Sequence, residues 1–233
     1  TRSCGTRDTL RGMGAPDAVI FDLDGVLVDS ETIWDEVRRA LAAERGAQWV
    51  DGASEAMMGM SSHEWSAYMR DVLGVPMTPE EISADVVARM VRRYDEALPL
   101  LPHARETVHA LAAVWPLGLA SSSNRPLIER FLDASGLRAC FRAAVSSEEV
   151  GRGKPAPDVY LEAARRLGAD PTRCVAVEDS TNGIRAAVAA GIPTIAIPNR
   201  HFPPEPEAIA LAAAVVPDLT ALTVERVREV AAG

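Results

Sequence analysis

Lysine is almost missing from this 233-residue chain: of its 24 Lys and Arg residues, all but Lys154 are arginine. Basic residues are also outnumbered, 24 against 33 acidic, for a formal charge of −9. Such a balance argues against a general nucleic-acid binder or an anionic-membrane binder, since both need a basic face. Apolar runs are short. The longest, 110–120 (interrupted by Pro116) and 208–216, fall far below the ~20 residues of a membrane-spanning helix. Cysteine is scarce, and Cys4, Cys140 and Cys174 have neither metal-ligand spacing nor a disulfide framework. Arg2, Arg7 and Arg11 precede no apolar segment of the kind a secretory signal requires. A cytoplasmic, monomeric protein with no nucleic-acid or membrane partner is expected.

What is present is a chain 48% hydrophobic, able to remove roughly 70–75% of its unfolded surface on folding. Its length suggests one domain with a smaller inserted unit. Residues 1–16 show no hydrophobic period and read as a flexible leader, with Met13 a candidate start. Short apolar runs then recur at 18–21, 117–121, 143–146, 174–178, 194–197 and 213–216, the pattern of buried parallel strands. Amphipathic helices at 125–135, 158–167 and 183–190 end at Gly136, Gly168 and Gly191, where a left-handed residue closes a helix. Strand–helix alternation predicts an α/β fold: a doubly wound, mainly parallel, Rossmann-like sheet.

Residues 31–101 break that rhythm. Ile33, Val37 and Leu41 recur at helical spacing before Gly46, and Ser61–Glu64 and Thr78–Glu81 have the form of capping boxes. The segment is expected to be an all-helical cap inserted into a catalytic core of 17–30 and 102–233. Because it leaves and re-enters near the end of the first strand, it should lie over the sheet's carboxyl edge, where α/β proteins bind ligands.

Chemistry concentrates at that edge. Asp22 and Asp24 follow the first strand at i, i+2, and on extended backbone they would project to one side. Unit charges about 4 Å apart repel by ~4 kcal/mol at an effective dielectric of about 20, so the pair calls for a proton, a cation or solvent. Taken alone, Asp-x-Asp also fits a solvated strand-end turn. An EF-hand is excluded because Gly25 falls at the fourth position rather than the sixth. Glu178 and Asp179 end another strand and could simply cap the next helix. Beside the first pair, however, they make four carboxylates at one edge, an all-oxygen set suited to Mg²⁺.

Ser121, Ser122 and Asn124 offer hydroxyls and backbone N–H groups to anionic oxygens where a third strand meets a helix, although such clusters are also ordinary turn chemistry. In an arginine-biased chain, lysine at 154 points to a need for a compact charge on a flexible stem. Four carboxylates balanced by Mg²⁺ and Lys154 leave room for a phosphoryl dianion, whose transfer needs mainly positioning and charge neutralisation. In the cap, Trp34, Met58, Met60, His63 and Trp65 are candidates for a substrate cavity, with apolar core as the alternative and, for His63, a solvated first helical turn.

The ordered set Asp22-x-Asp24-Gly25, Ser121, Lys154-Pro155 and Glu178-Asp179 resembles the haloacid dehalogenase superfamily of phosphohydrolases. The likeness is to members with a small helical cap after the first strand, such as beta-phosphoglucomutases and 2-deoxyglucose-6-phosphatase-like sugar-phosphate phosphatases. It implies Asp22 as nucleophile forming an aspartyl-phosphate, and Asp24 as general acid and then base. It also implies Ser121 and Lys154 as holders of the phosphoryl oxygens. Asp22, the Asp24 backbone carbonyl, Glu178 and Asp179 would surround Mg²⁺. Asp24 disfavours a true dehalogenase, which lacks that aspartate. The cap contains no lysine, which disfavours a phosphonate hydrolase, and Trp34 stands where the mutases carry a cap histidine. The expectation is a Mg²⁺-dependent phosphatase of a small phosphorylated metabolite, a sugar phosphate, with a hexose-phosphate mutase as the alternative.

Overall fold

The computed structural model describes residues 15–58, 60–200 and 202–233, so nearly all of the expected leader, with Met13, lies outside the described residues. The chain runs β1 (Ala18–Phe21), α1 (Glu31–Glu44), α2 (Ala53–Met57), α3 (Ser62–Asp71), α4 (Pro79–Glu96), α5 (Ala104–Ala112) and β2 (Leu117–Ser121). It continues through α6 (Arg125–Ser135), β3 (Phe141–Ser146), α7 (Asp158–Leu167), β4 (Cys174–Glu178) and α8 (Thr181–Ala189). It ends with β5 (Thr194–Ala196), α9 (Pro206–Ile209), β6 (Ala214–Val215) and α10 (Val224–Ala232). Every strand pairing is parallel, and the order is β3-β2-β1-β4-β5-β6.

Alternate residues of the strands feed two cores. Val19, Phe21, Leu119, Val175 and Val177 pack with α5, α6 and α10 through Val108, Leu111, Phe131 and Val227. Their neighbours Ala18, Ile20, Ala120, Cys174 and Ala176 face α7 and α8 through Tyr160, Ala163, Ala186 and Ala187. Strands buried on both faces explain the continuous apolar runs. Each large side chain so buried contributes ~1.5–3 kcal/mol. Gly136, Gly168 and Gly191 take positive φ at the expected helix ends. The third strand starts at Phe141, two residues before the apolar run predicted, and β5 and β6 are shorter than expected.

Strand order reverses beside β1, with β2 and β3 to one side and β4, β5 and β6 to the other. A crevice opens outside the carboxyl ends at such a point. Helices α1–α4 stand over it as a cap. Both expected capping boxes form, at Ser61/Glu64 and Thr78/Glu81. Trp34, Leu41, Met57, Trp65, Ile82 and Met90 form the cap's own apolar cluster, which Leu127 of α6 joins from the core. The two segments connecting cap and core run antiparallel side by side: the Asp29 N–H donates to the Pro99 carbonyl at 2.8 Å and the Leu101 N–H to that of Leu27 at 3.0 Å. Among the described residues, no helix is long and apolar enough to cross a membrane.

Because Leu127 is fully buried in the cap's cluster, Leu127→Ala is expected to lower the unfolding free energy by about 2–5 kcal/mol. Urea denaturation followed by circular dichroism measures it, and a loss below 0.5 kcal/mol would contradict this packing.

Candidate active site

Asp22 leaves β1 with its N–H donating to the Val177 carbonyl at 2.9 Å, and Phe21 pairs with Val177, so Asp22 and Glu178 emerge on neighbouring strands. Carboxylate oxygens of Asp22, Glu178 and Asp179 lie within 4.8 Å of one another, all three residues buried. Lys154 joins them: its Nζ is 2.8 Å from Asp22 Oδ1 and 2.6 Å from Glu178 Oε1. The Tyr160 hydroxyl donates to the same Glu178 oxygen at 2.7 Å. Glu178 Oε2 accepts from the Asp179 N–H at 3.1 Å and the Ser180 hydroxyl at 3.2 Å. Both Glu178 oxygens are thus engaged, and its carboxylate holds the lysine in place.

Two glycines make room for this. A Cβ on Gly183 would overlap the Glu178 carboxylate over the start of α8, and one on Gly25 would overlap that of Asp179. Gly25 also takes φ +77°, a conformation other residues adopt only with strain.

Electrostatics follow from burial. Desolvation pushes the Asp22 carboxyl up to about 8; Lys154 opposes the rise, while Glu178 and Asp24 add to it. Asp179 is raised well above the ordinary carboxylate range by burial and by Glu178 and Asp22, with the Asn199 amide opposing at 2.9 Å. Burial pulls the Lys154 ammonium down, but the Asp22 and Glu178 carboxylates outweigh it and hold the group above its usual range.

The fourth carboxylate departs from expectation. Asp24 is not in the cluster, because residues 23–28 form a tight turn rather than extended backbone. Leu27 and Val28 N–H groups both bond the Leu23 carbonyl, and the Gly25 N–H bonds that of Val28. Alternation of side chains therefore fails there. The Asp24 carboxylate instead accepts from the hydroxyls of Ser30 and, at 2.7 Å, Ser123, and at 3.4 Å from Trp34 Nε1 and the Ser121 hydroxyl.

A cavity of about 690 Å³ lies between cap and core, walled by Asp22, Asp24, Lys154 and Asp179 below and by Glu31, Trp34, Arg38 and Trp65 above. Of the predicted serine cluster, Ser122 lines this cavity, whereas Ser121 is fully buried beneath it and accepts the Ser123 N–H at 2.9 Å. Asn124 does not reach the cavity: it precedes α6 and donates to Glu148 at 2.6 Å in the seam between core and cap. Trp34, Met58, Met60 and Trp65 line the cavity, and the two tryptophans also belong to the cap's core, so both expectations hold for them. His63 is exposed and outside it.

Arg38, Tyr160 and Asn199 were not picked out from the sequence. Arg38 carried a signal, a charge on the inward face of α1 four residues after Trp34. Asn199 follows β5 at the same sheet edge. Tyr160 has no local signature, because its partner is set by the packing of α7 across β1, β2 and β3, which brings its hydroxyl to the end of β4.

The model of the haloacid dehalogenase-like hydrolase family matches residues 16–191, and the chain belongs to this family. Hexitol phosphatase B of Escherichia coli (strain K12) is 37% identical over 214 residues, covering 88% of this chain and 94% of that protein. Phosphoglycolate phosphatase of Shigella flexneri is 32% identical over 201 residues, covering 77% and 80%. Among solved structures, a beta-phosphoglucomutase from Clostridium difficile superposes with a TM-score of 0.80 over 93% of this chain and 97% of that one, at 23% identity, a likeness of fold. CbbY from Rhodobacter sphaeroides, in complex with phosphate, gives 0.78 at 26% identity over 89% and 96%.

Since the space a Cβ would need at position 183 is filled by the Glu178 carboxylate, Gly183→Ala is expected to cost about 1–3 kcal/mol, measurable by thermal melting. An unchanged melting temperature would show that Glu178 does not rest there.

Proposed function

We propose that the chain is a Mg²⁺-dependent phosphatase of a small, sugar-like phosphomonoester, acting through a phosphoryl group carried on Asp22. The observation that carries this is Lys154, buried and bonded to both Asp22 and Glu178 at the floor of the cavity, with Asp24 held apart among hydroxyls. The names of the relatives, a hexitol phosphatase and a phosphoglycolate phosphatase, and the phosphate in CbbY support it.

The donor set fits the metal. Asp22, Glu178 and Asp179 offer only oxygen, and burial drives the Asp22 and Asp179 carboxyls toward their protonated forms, a penalty that a divalent cation would relieve. Asp22 and Asp179 would hold Mg²⁺, with Glu178 and the Asp24 main-chain carbonyl completing the set that the family resemblance implies. When bound, the ion neutralises phosphoryl charge.

The chain's own residues supply the rest. An Asp22 carboxylate oxygen attacks phosphorus in line with the ester oxygen. The phosphorus–ester bond breaks, and Asp24, two residues further along and facing the cap, gives the departing alcohol a proton. Asp24, now a carboxylate, takes a proton from water, whose oxygen attacks phosphorus. The bond to Asp22 breaks and inorganic phosphate leaves. Lys154 offsets the charge of the phosphoryl oxygens, and Ser122 at the cavity wall can donate to them. The cap walls the site from bulk water.

Asp22→Asn is expected to lower turnover of p-nitrophenyl phosphate and hexose phosphates by at least about a thousandfold. Retention of activity would refute the nucleophile. Saturating Mg²⁺ is expected to stabilise the native chain by about 2–3 kcal/mol at a hundred times its dissociation constant, and Asp179→Asn much less, as thermal melting shows. Equal shifts in both would place the metal elsewhere.

A further inference from the structure

Helix α1 presents three side chains to the cavity at positions 31, 34 and 38. Offsets of three and seven residues return to nearly one face of a helix, so Glu31, Trp34 and Arg38 form a stripe two turns long. The stripe begins beside the proposed proton carrier, because Trp34 Nε1 bonds Asp24 and Ser30, the residue before α1, also bonds it. It then runs away from the phosphoryl end of the cavity.

Arg38 is only 7% exposed, and its Nε is buried with no hydrogen-bond partner. It lies in a cleft between two indoles, its guanidinium carbon 4.8 Å from the ring centroids of both Trp34 and Trp65. These contacts fix the position of the group by cation–π attraction without using its N–H donors. The other cations of the cavity are paired, Lys154 with Asp22 and Glu178 and Arg185 with Glu205. Among the described residues Arg38 forms no ion pair. Glu31, also on the cavity wall and half-buried, makes no side-chain hydrogen bond among the described residues. Burial and the nearby Asp24 push its carboxyl up to about 7, with Arg38 opposing the rise, so the two charges feel each other without touching.

Arg38 and Glu31 line the same cavity and leave each other unbonded, so a ligand there can engage the guanidinium and the carboxylate together. A hydroxyl does so: its hydrogen goes to the Glu31 carboxylate and its oxygen accepts from Arg38. A second anion fits worse, since Glu31 balances Arg38 and carboxylates outnumber cations in the cavity wall. We infer that Glu31 and Arg38 form a hydroxyl-reading subsite, which selects phosphate esters with a neutral polyhydroxylated tail several carbons long over esters with a second anionic group. Arg38 is the specificity-determining residue. The inference rests on the phosphatase reading and narrows its substrate class.

The test compares a matched pair, sorbitol 6-phosphate and 6-phosphogluconate, which share a six-carbon skeleton and differ in having a neutral or a carboxylate end. The native chain with Mg²⁺ is expected to show a kcat/KM at least about tenfold higher for the hexitol phosphate. Arg38→Met is expected to lower that value about 10- to 100-fold, mostly through KM, and by at least about tenfold more than it lowers kcat/KM for p-nitrophenyl phosphate. Arg38→Lys should recover part of the loss. A native preference for 6-phosphogluconate would overturn the inference and make Arg38 an anion site. So would equal losses on all three esters, which would mean that Arg38 is merely structural. Turnover of p-nitrophenyl phosphate without any hexitol preference refutes the subsite and leaves the phosphatase reading standing. Absence of turnover on every ester refutes the phosphatase reading, and the subsite is then decided by binding. Sorbitol 6-phosphate is titrated against tryptophan fluorescence, with about tenfold weaker affinity expected in Arg38→Met and equal affinity counting against it.

Discussion

A single ammonium group holds the floor of this site together. Three buried carboxylates, Asp22, Glu178 and Asp179, converge at the end of a sheet buried on both faces. Lys154 bridges two of them at hydrogen-bond distance, and Tyr160 and the first amides after β4 saturate what Glu178 has left. A buried charge so placed is tolerated only with its partners; removing one partner typically costs 3–5 kcal/mol because the other is left uncompensated. A compact ammonium can reach both carboxylates from the loop before α7, whereas a planar guanidinium would ask for more space and a different geometry. That is a physical reason for the lone lysine of an arginine-rich chain to stand at this position.

The rest of the fold serves this contact. Parallel pairing of β1 with β4 sets Asp22 beside Glu178, and the reversal of strand order opens the crevice above them. Absent side chains at Gly25 and Gly183 let the Asp179 and Glu178 carboxylates lie against backbone. The turn after β1 then separates two aspartates that sequence spacing would put on one side. Asp22 faces lysine and other carboxylates, and Asp24 faces hydroxyls, an indole and the cap. Two carboxyl groups in unlike surroundings can take unlike roles, one as nucleophile and one as proton carrier.

The cap is more than a cover. Its apolar cluster reaches into the core through Leu127, and its first helix carries polar groups to the cavity on the same stripe whose neighbours, Val37 and Leu41, build the cap's interior. Trp34 and Arg38 therefore have positions as firmly set as those of a core. That rigidity is what a surface needs if it is to distinguish one substrate tail from another.

Much was legible in the residues alone: the strands and helix ends, both capping boxes, the inserted helical cap, and the ordered motifs at 22–25, 121, 154 and 178–179 that mark the family. These are local properties, written in periodicity, turn chemistry and spacing. What the sequence could not carry was the partner of each side chain. Asn124 turned to Glu148, Ser121 sank beneath the cavity, Asp24 left the carboxylate cluster, and Tyr160, Asn199 and Arg38 entered the site from α7, the loop after β5 and the cap. Those contacts join residues far apart in the chain, and only the winding of the sheet and the docking of the cap bring them within bonding distance.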